Sequence, residues 1–273
     1  MMESFLLFFE QMPSWQKLAW IFICLSLSWA AEGSFPLFKL NYKKWRHAGV
    51  NLVFLGFSII INLLFGIATV GLFAWTMKNG IGFFHFIDLP IWAELLIAVM
   101  FLDLVAQYFV HYLLHKVKWM WKLHMVHHSD SHVDATTGTR HHPGDYTLRE
   151  VFSLFAIVIT GMPIAFYLFY RILSVFFAYF THANIQMPIW LDKALSFVIV
   201  TPYMHKFHHH FERPWTDTNF GNIFSFWDRM FGTMVYGDPN QVQYGLDVLD
   251  DSLDENIKYQ LNIPFDKSIK TDY

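Results

Sequence analysis

Long apolar runs constrain this chain more than any other feature. Residues 17–35, 50–77 and 91–115 each approach or exceed the ~20 residues that an α-helix needs to cross the hydrocarbon core of a bilayer. No water there can satisfy a bare peptide group, so such runs must be helical. The composition agrees: 55% of the 273 residues are hydrophobic and only 15% are charged, against about 25% charged in an ordinary soluble domain. Thirty Phe and eleven Trp bring more apolar surface than one soluble domain of this size would cover. Disorder is excluded. A net charge of −3 with no basic stripe argues against a nucleic-acid partner. Cys24 is the sole cysteine, so no internal disulfide can form.

Basic residues in short loops orient the runs. Lys39, Lys43, Lys44 and Arg46 between the first two place that loop in the cytoplasm, whereas the loop at 78–90 has only Lys78 against Asp88. The third run ends at Lys116, Lys118 and Lys122, again cytoplasmic, and the N-terminus falls outside. Glu3 and Glu10 stand where a signal peptide would be basic, so the first run is expected to be retained. The apolar stretch 151–181 is too long for one pass and too short for two. It is expected to form a short re-entrant hairpin that turns at Gly161-Met162-Pro163. Residues 189–201, with Asp192 and Lys193 among apolar side chains, suit an interfacial helix. From Asp238 onward eight acids face three lysines, which reads as a solvated cytoplasmic tail. The expected division is thus 1–90, N-terminal transmembrane helices; 91–237, a catalytic unit; and 238–273, the acidic tail.

Thirteen of the fifteen histidines lie between His111 and His210. His111 and His115 are four apart, and His124, His127 and His128 take offsets of zero, three and four, as do His205, His208 and His209. On a helix such offsets share a face. Eight uncoordinated imidazoles beside lipid would be costly to desolvate, and metal ions convert that cost into bonds. One zinc takes about four ligands, so eight or more nitrogens imply two ions. The expected fold class is therefore all-α: a polytopic membrane helical bundle with a histidine-rich di-metal cap on its cytoplasmic side. Asp103 and Gln107 continue the polar stripe of His111 and His115 into the third run, where they either bond helix to helix or orient the ligand rings. His132 reads as a solvated loop residue, and His210 lies about 140° around from His205, off the shared face.

These clusters, in this order, resemble the signature of the fatty acid hydroxylase and sterol desaturase superfamily of membrane di-iron enzymes. Thr139-Arg140-His141-His142-Pro143 is similar to its Arg-x-His-Pro element, and Thr181-His182-Ala183-Asn184 to its isolated His with Asn two residues on. Asn219-Phe220-Gly221 with Trp227-Asp228-Arg229 and Phe231-Gly232-Thr233 is similar to its terminal motif. The likeness covers roughly 95–235. It implies that His111, His115, His124, His127, His128, His205, His208 and His209 ligate two iron ions, with zinc able to replace iron on purification. His142 and His182 are further candidate ligands, and Asn184 is a candidate for direct or water-mediated contact. It also implies an O2-dependent hydroxylase or desaturase acting on a sterol, fatty acyl or ether lipid from the bilayer, with electrons from a separate protein.

Two other classes fit the residues. A dizinc lipid hydrolase would act through metal-bound hydroxide, but no glutamate lies inside any histidine cluster to serve as its base. A non-catalytic metal or proton conduit would need a polar path through the first two runs, where Asn51 and Asn62 are almost the only strongly polar side chains.

Overall fold

The computed structural model describes residues 2–271, which are all-helical and contain no β-strand. Helices α1 (Met2–Glu10) and α2 (Ser14–Ser34) lead into α3 (Lys44–Asn79), 36 residues long and closed by Gly80 in the left-handed conformation. Helix α4 (Ile91–Asp103) continues through one π-helical stretch, Leu104–Phe109, into α5 (Val110–Lys116). A break at extended Val117 turns the chain into α6 (Lys118–His128). Three segments are long and apolar enough to cross a membrane: Lys44–His85, Ile91–Lys116 and Ile164–His182.

The expected span at 17–35 is not among them. It is helical, as α2, but Lys17, Ser26, Ser28, Glu32 and Ser34 interrupt its apolar character. Its buried face packs on the second half of the hairpin, with Cys24 and Leu25 against Tyr179 and Ala183. Trp20 Nε1 donates to Ile172 O at 2.9 Å.

The turn expected at 161–163 is present, but the hairpin is not short. Helix α7 (Pro143–Thr160) and helix α8 (Ile164–His182) have 18 and 19 residues, each about 27 Å or more at 1.5 Å per residue. Helix α7 starts eight residues before the apolar run because Asp145, Arg149 and Glu150, polar in sequence, are buried against protein. At the tip, Gly161 is left-handed, with φ of 63°. A Cβ on Gly82 would stand 2.2 Å from the Gly161 nitrogen, and one on Gly161 would stand 2.3 Å from the Ile81 carbonyl oxygen. Only glycine fits on both sides of this contact.

Helix α9 (Ile189–Leu195) exposes Ile189 and Trp190, as an interfacial helix would, yet Asp192 is buried and accepts from Thr201 Oγ1 and Tyr236 OH, each at 2.8 Å. Helix α10 (Pro202–His208) follows, with Pro202 in its first turn and Thr201 as its cap, and then α11 (Phe226–Met230).

The acidic tail is seated rather than free. Leu246, Ile263 and Ile269 join Val50, Phe54, Trp121, Met125 and Val126 in one apolar cluster. Helix α12 (Ile257–Asn262) buries Gln260, which accepts from Ser129 Oγ at 2.8 Å. Apolar residues spaced among the acids supply the contact that charge counting hides.

Candidate metal centre

Nine buried imidazoles converge where α5, α6, α8 and α10 meet. They form two groups whose ligand atoms lie within 4.8 Å of one another: His111, His115, His124, His128 and His208 in the first, and His127, His182, His205 and His209 in the second. The division follows helix geometry. Residues i and i+4 differ by about 40° around the axis, while i+3 lies about 100° from i+4. Helix α6 therefore gives its pair His124 and His128 to the first group and His127 to the second. Helix α10 does the reverse, giving His208 to the first group and His205 and His209 to the second.

The rings are held from behind. His111 Nδ1 donates to Phe220 O at 2.9 Å, His208 Nδ1 to Thr218 O at 2.7 Å, His182 Nδ1 to Ala178 O at 2.6 Å and His127 Nδ1 to Arg140 O at 3.2 Å. His124 Nδ1 donates to Asp145 Oδ2 at 2.6 Å, and His115 Nδ1 lies 3.4 Å from Asp217 Oδ1. These partners fix the Nδ1–H tautomer and aim each Nε2 lone pair inward. Nε2 atoms consequently face each other: His111 and His124 at 3.0 Å, His128 and His208 at 3.1 Å, His127 and His182 at 3.1 Å, and His182 and His205 at 3.0 Å.

Such an arrangement fits metal. Two imidazole nitrogens bound at ~2.1 Å to one ion can stand no more than about 4.2 Å apart, and all four contacts satisfy that. His209 has both ring nitrogens buried without a hydrogen-bond partner among the described residues, a state that is costly unless a ligand bond replaces the lost water. Burial, reinforced by neighbouring rings, pushes His127, His128, His205, His208 and His209 well below the ordinary imidazole value. Burial also lowers His124 to about 4 against the opposing pull of Asp145. These rings are neutral donors at pH 7.

Two supports of the first group carry no histidine signature. Asp145 Oδ1 accepts from Arg149 Nε at 2.9 Å, and Arg149 Nη1 donates to Gln107 Oε1 at 2.9 Å. Gln107 thus reaches His124 through two intermediaries rather than touching a ring. Burial alone would raise Asp145, but Arg149 and His124 outweigh it and hold its carboxyl well below the usual range. The available signal was the i,i+4 spacing of His141, Asp145 and Arg149. Asp103 accepts from Ile223 N, Phe224 N and Trp227 Nε1, each at 3.1 Å. It pins the loop whose Phe220 carbonyl holds His111.

Other candidates lie elsewhere. Asn184 spends both ends of its amide on Phe38, accepting from the nitrogen at 3.0 Å and donating to the oxygen at 2.8 Å. It ties the loop after α2 to the end of α8. His142 caps α7, its Nδ1 accepting from Gly144 N at 3.0 Å, and belongs to neither group. Its neighbour His141 stacks on His127 with centroids 4.5 Å apart and lies with Nδ1 3.4 Å from Asp145 Oδ2. His132 stacks on Tyr42, and His210 Nδ1 accepts from Glu212 N.

A cavity opens from His111, His127, His182 and His205 and runs between α3, α7 and α8 past Tyr146, Arg171 and Ser174. It joins the histidines to the apolar body of the bundle.

Comparison with known proteins agrees with this arrangement. The fatty acid hydroxylase family model matches residues 95–233, which contain every ring of both groups. The chain is 26% identical over 126 residues to ornithine lipid hydroxylase OlsE of Rhizobium tropici, covering 46% of this chain and 37% of that protein. It is 28% identical over 167 residues to the alkylglycerol monooxygenase of Danio rerio (60% and 35% covered) and 29% identical over 140 residues to that of Homo sapiens (51% and 30% covered). The chain thus spans about a third of the length of these relatives. No solved structure matches it. With half of its residues matched and the histidine signature gathered at one site, the chain belongs to the fatty acid hydroxylase family.

Proposed function

We propose that the chain is a multi-pass membrane oxygenase that uses two iron ions and O2 to hydroxylate or desaturate a lipid, with electrons from a separate protein. The observation that carries this reading is the pair of inward-facing imidazole groups opening on a cavity within the apolar bundle. His111, His115, His124, His128 and His208 would hold one ion, and His127, His182, His205 and His209 the other. Iron held there would supply the activation of O2 needed to break an aliphatic C–H bond. The chain's own residues do the rest. Carbonyl and carboxylate partners behind His111, His115, His124, His127, His182 and His208 keep the Nε2 of those rings in place. The cavity between α3, α7 and α8 receives a stretch of lipid and limits water at the reacting carbon. The basic loop after α2 and the lysines beyond α5 favour a cytoplasmic metal side and an external N-terminus. Lipid hydroxylase and monooxygenase names among the relatives support the reaction class.

The test is metal content of anaerobically purified protein, followed by reduction, exposure to 18O2 and mass spectrometry of extracted lipid. About two irons per chain and 18O in a lipid product, or an added double bond, are expected. Protein that binds zinc, cannot be reconstituted with iron and hydrolyses lipid esters without O2 would replace this reading with a dizinc hydrolase.

A further inference from the structure

The span that ends in His111 and His115 is flanked by two openings. Gln107 and His111 face the cavity already described. Leu104, Val105, Tyr108, Phe109 and Tyr112 line a separate groove of about 520 Å³, with Phe231, at the end of α11, as its sixth wall. That volume lies within the roughly 300–1,000 Å³ of small-molecule sites. The groove is firmly built. Phe231 stacks on Tyr108 with ring centroids 5.2 Å apart, and the Tyr108 hydroxyl is spent on Thr233 Oγ1 at 2.9 Å. Phe109 and Phe231 stand 47% and 53% exposed. Charge appears at one end. Between Asp103 and Asp130 the sequence holds no acid, but it holds Lys116, Lys118 and Lys122. Lys122 is engaged by Asp266 O at 2.7 Å. Lys116 Nζ stands 5.9 Å over the Tyr112 ring, and Lys118 and Trp119 are exposed just past the break at Val117. Aromatic and basic side chains at the end of a membrane helix mark the level of the lipid headgroups. From Leu104 to Tyr112 the span falls about 12 Å below that level.

We propose that this groove holds an anionic phospholipid of the surrounding bilayer, with one acyl chain along Leu104, Tyr108 and Phe109 and the phosphate on Lys116 and Lys118. An apolar slot beneath two ammonium groups is complementary to an acyl chain beneath a negative headgroup. The lipid is a resident ligand and not the substrate, because no histidine lines the groove. Its link to the metal centre runs through Lys116, which donates to Asp217 Oδ2 at 2.5 Å, while Asp217 Oδ1 lies 3.4 Å from His115 Nδ1. The headgroup therefore sits two contacts from the first histidine group. The proposal requires a membrane-spanning chain and stands apart from the oxygenase reading.

The experiment counts bound lipid. The whole chain, metal-loaded and in a mild non-ionic detergent, is titrated with dioleoylphosphatidylglycerol or dioleoylphosphatidylcholine and read by native mass spectrometry. Wild-type protein is expected to take one phosphatidylglycerol about tenfold more tightly than phosphatidylcholine, the scale set by one or two lysines at a headgroup. Lys116→Gln combined with Lys118→Gln should bring the two lipids level. Val105→Phe, which fills the groove and leaves its charges alone, should weaken both about tenfold with metal content retained. Equal affinity of wild-type protein for the two lipids would overturn the proposal whether or not the variants fold. A preference that survives in the lysine variant, or tight phosphatidylglycerol binding untouched by Val105→Phe, would overturn it too. So would a lipid-free dimer that Val105→Phe splits, since the groove would then belong to a second copy of the chain.

Discussion

The two histidine groups both gather buried rings around one point but are supported differently. In the first, His124 rests on the Asp145 carboxylate and His115 faces Asp217, with carbonyls behind His111 and His208, and only Nδ1 of His128 meets no partner among the described residues. In the second, only carbonyls stand behind His127 and His182, and Nδ1 of His205 and His209 meets no partner among the described residues. A carboxylate behind an imidazole raises its basicity and stiffens its orientation. The first group should therefore bind its ion more tightly, and the second should release first under a chelator. Similar coordination shells can thus differ in lability through contacts one layer out.

The largest expected effect comes from removing one ligand of each group. A His127→Ala, His208→Ala double variant should retain only trace metal by mass spectrometry, and wild-type retention would dismantle both groups at once. Asp145→Asn should weaken the first group about 10–100-fold in a chelator titration while the second keeps its wild-type release; equal weakening of both would erase the contrast. Asp217→Asn should act on the same group by less than about fivefold, because its contact is long and shared with the partly exposed Lys116. His142→Ala should leave metal content unchanged and cost only a helix cap, about 1 kcal/mol seen as a lower Tm. Metal loss in that variant would bring His142 into the centre.

Much of this site was legible in the chain. Eight ring positions follow from spacing, and His182 from the resemblance, because histidines at helical offsets carry their own geometry. Gly161-Met162-Pro163 marks the hairpin tip by backbone chemistry alone. What escaped were partners with ordinary local patterns. Asp145 looks like any acid near a helix start, and its role depends on α7 crossing α6. Asn184 sits two residues after a ring yet turns its amide to Phe38, because α8 ends at His182 and the chain leaves in another direction. The acidic tail reads as solvated by net charge, although Leu246, Ile263 and Ile269 seat it on the histidine-bearing helix α6. Charge counting averages over faces, and seating depends on one face.

The Gly82 and Gly161 contact gives the bundle a datum. Helix α7 carries Asp145 near one end and α8 carries His182 near the other limb's end, so both are measured off from the same hairpin tip. The loop at Gly82 precedes the helix that carries His111 and His115, which is measured off from that mark as well. A slip of one residue would displace a ring by about 1.5 Å, several times the tolerance of about 0.2 Å for a metal–ligand bond. Two missing methyl groups thus act as a gauge block at the far end of the molecule, and an alanine at either position should detune a centre some 27 Å away without touching any of its atoms.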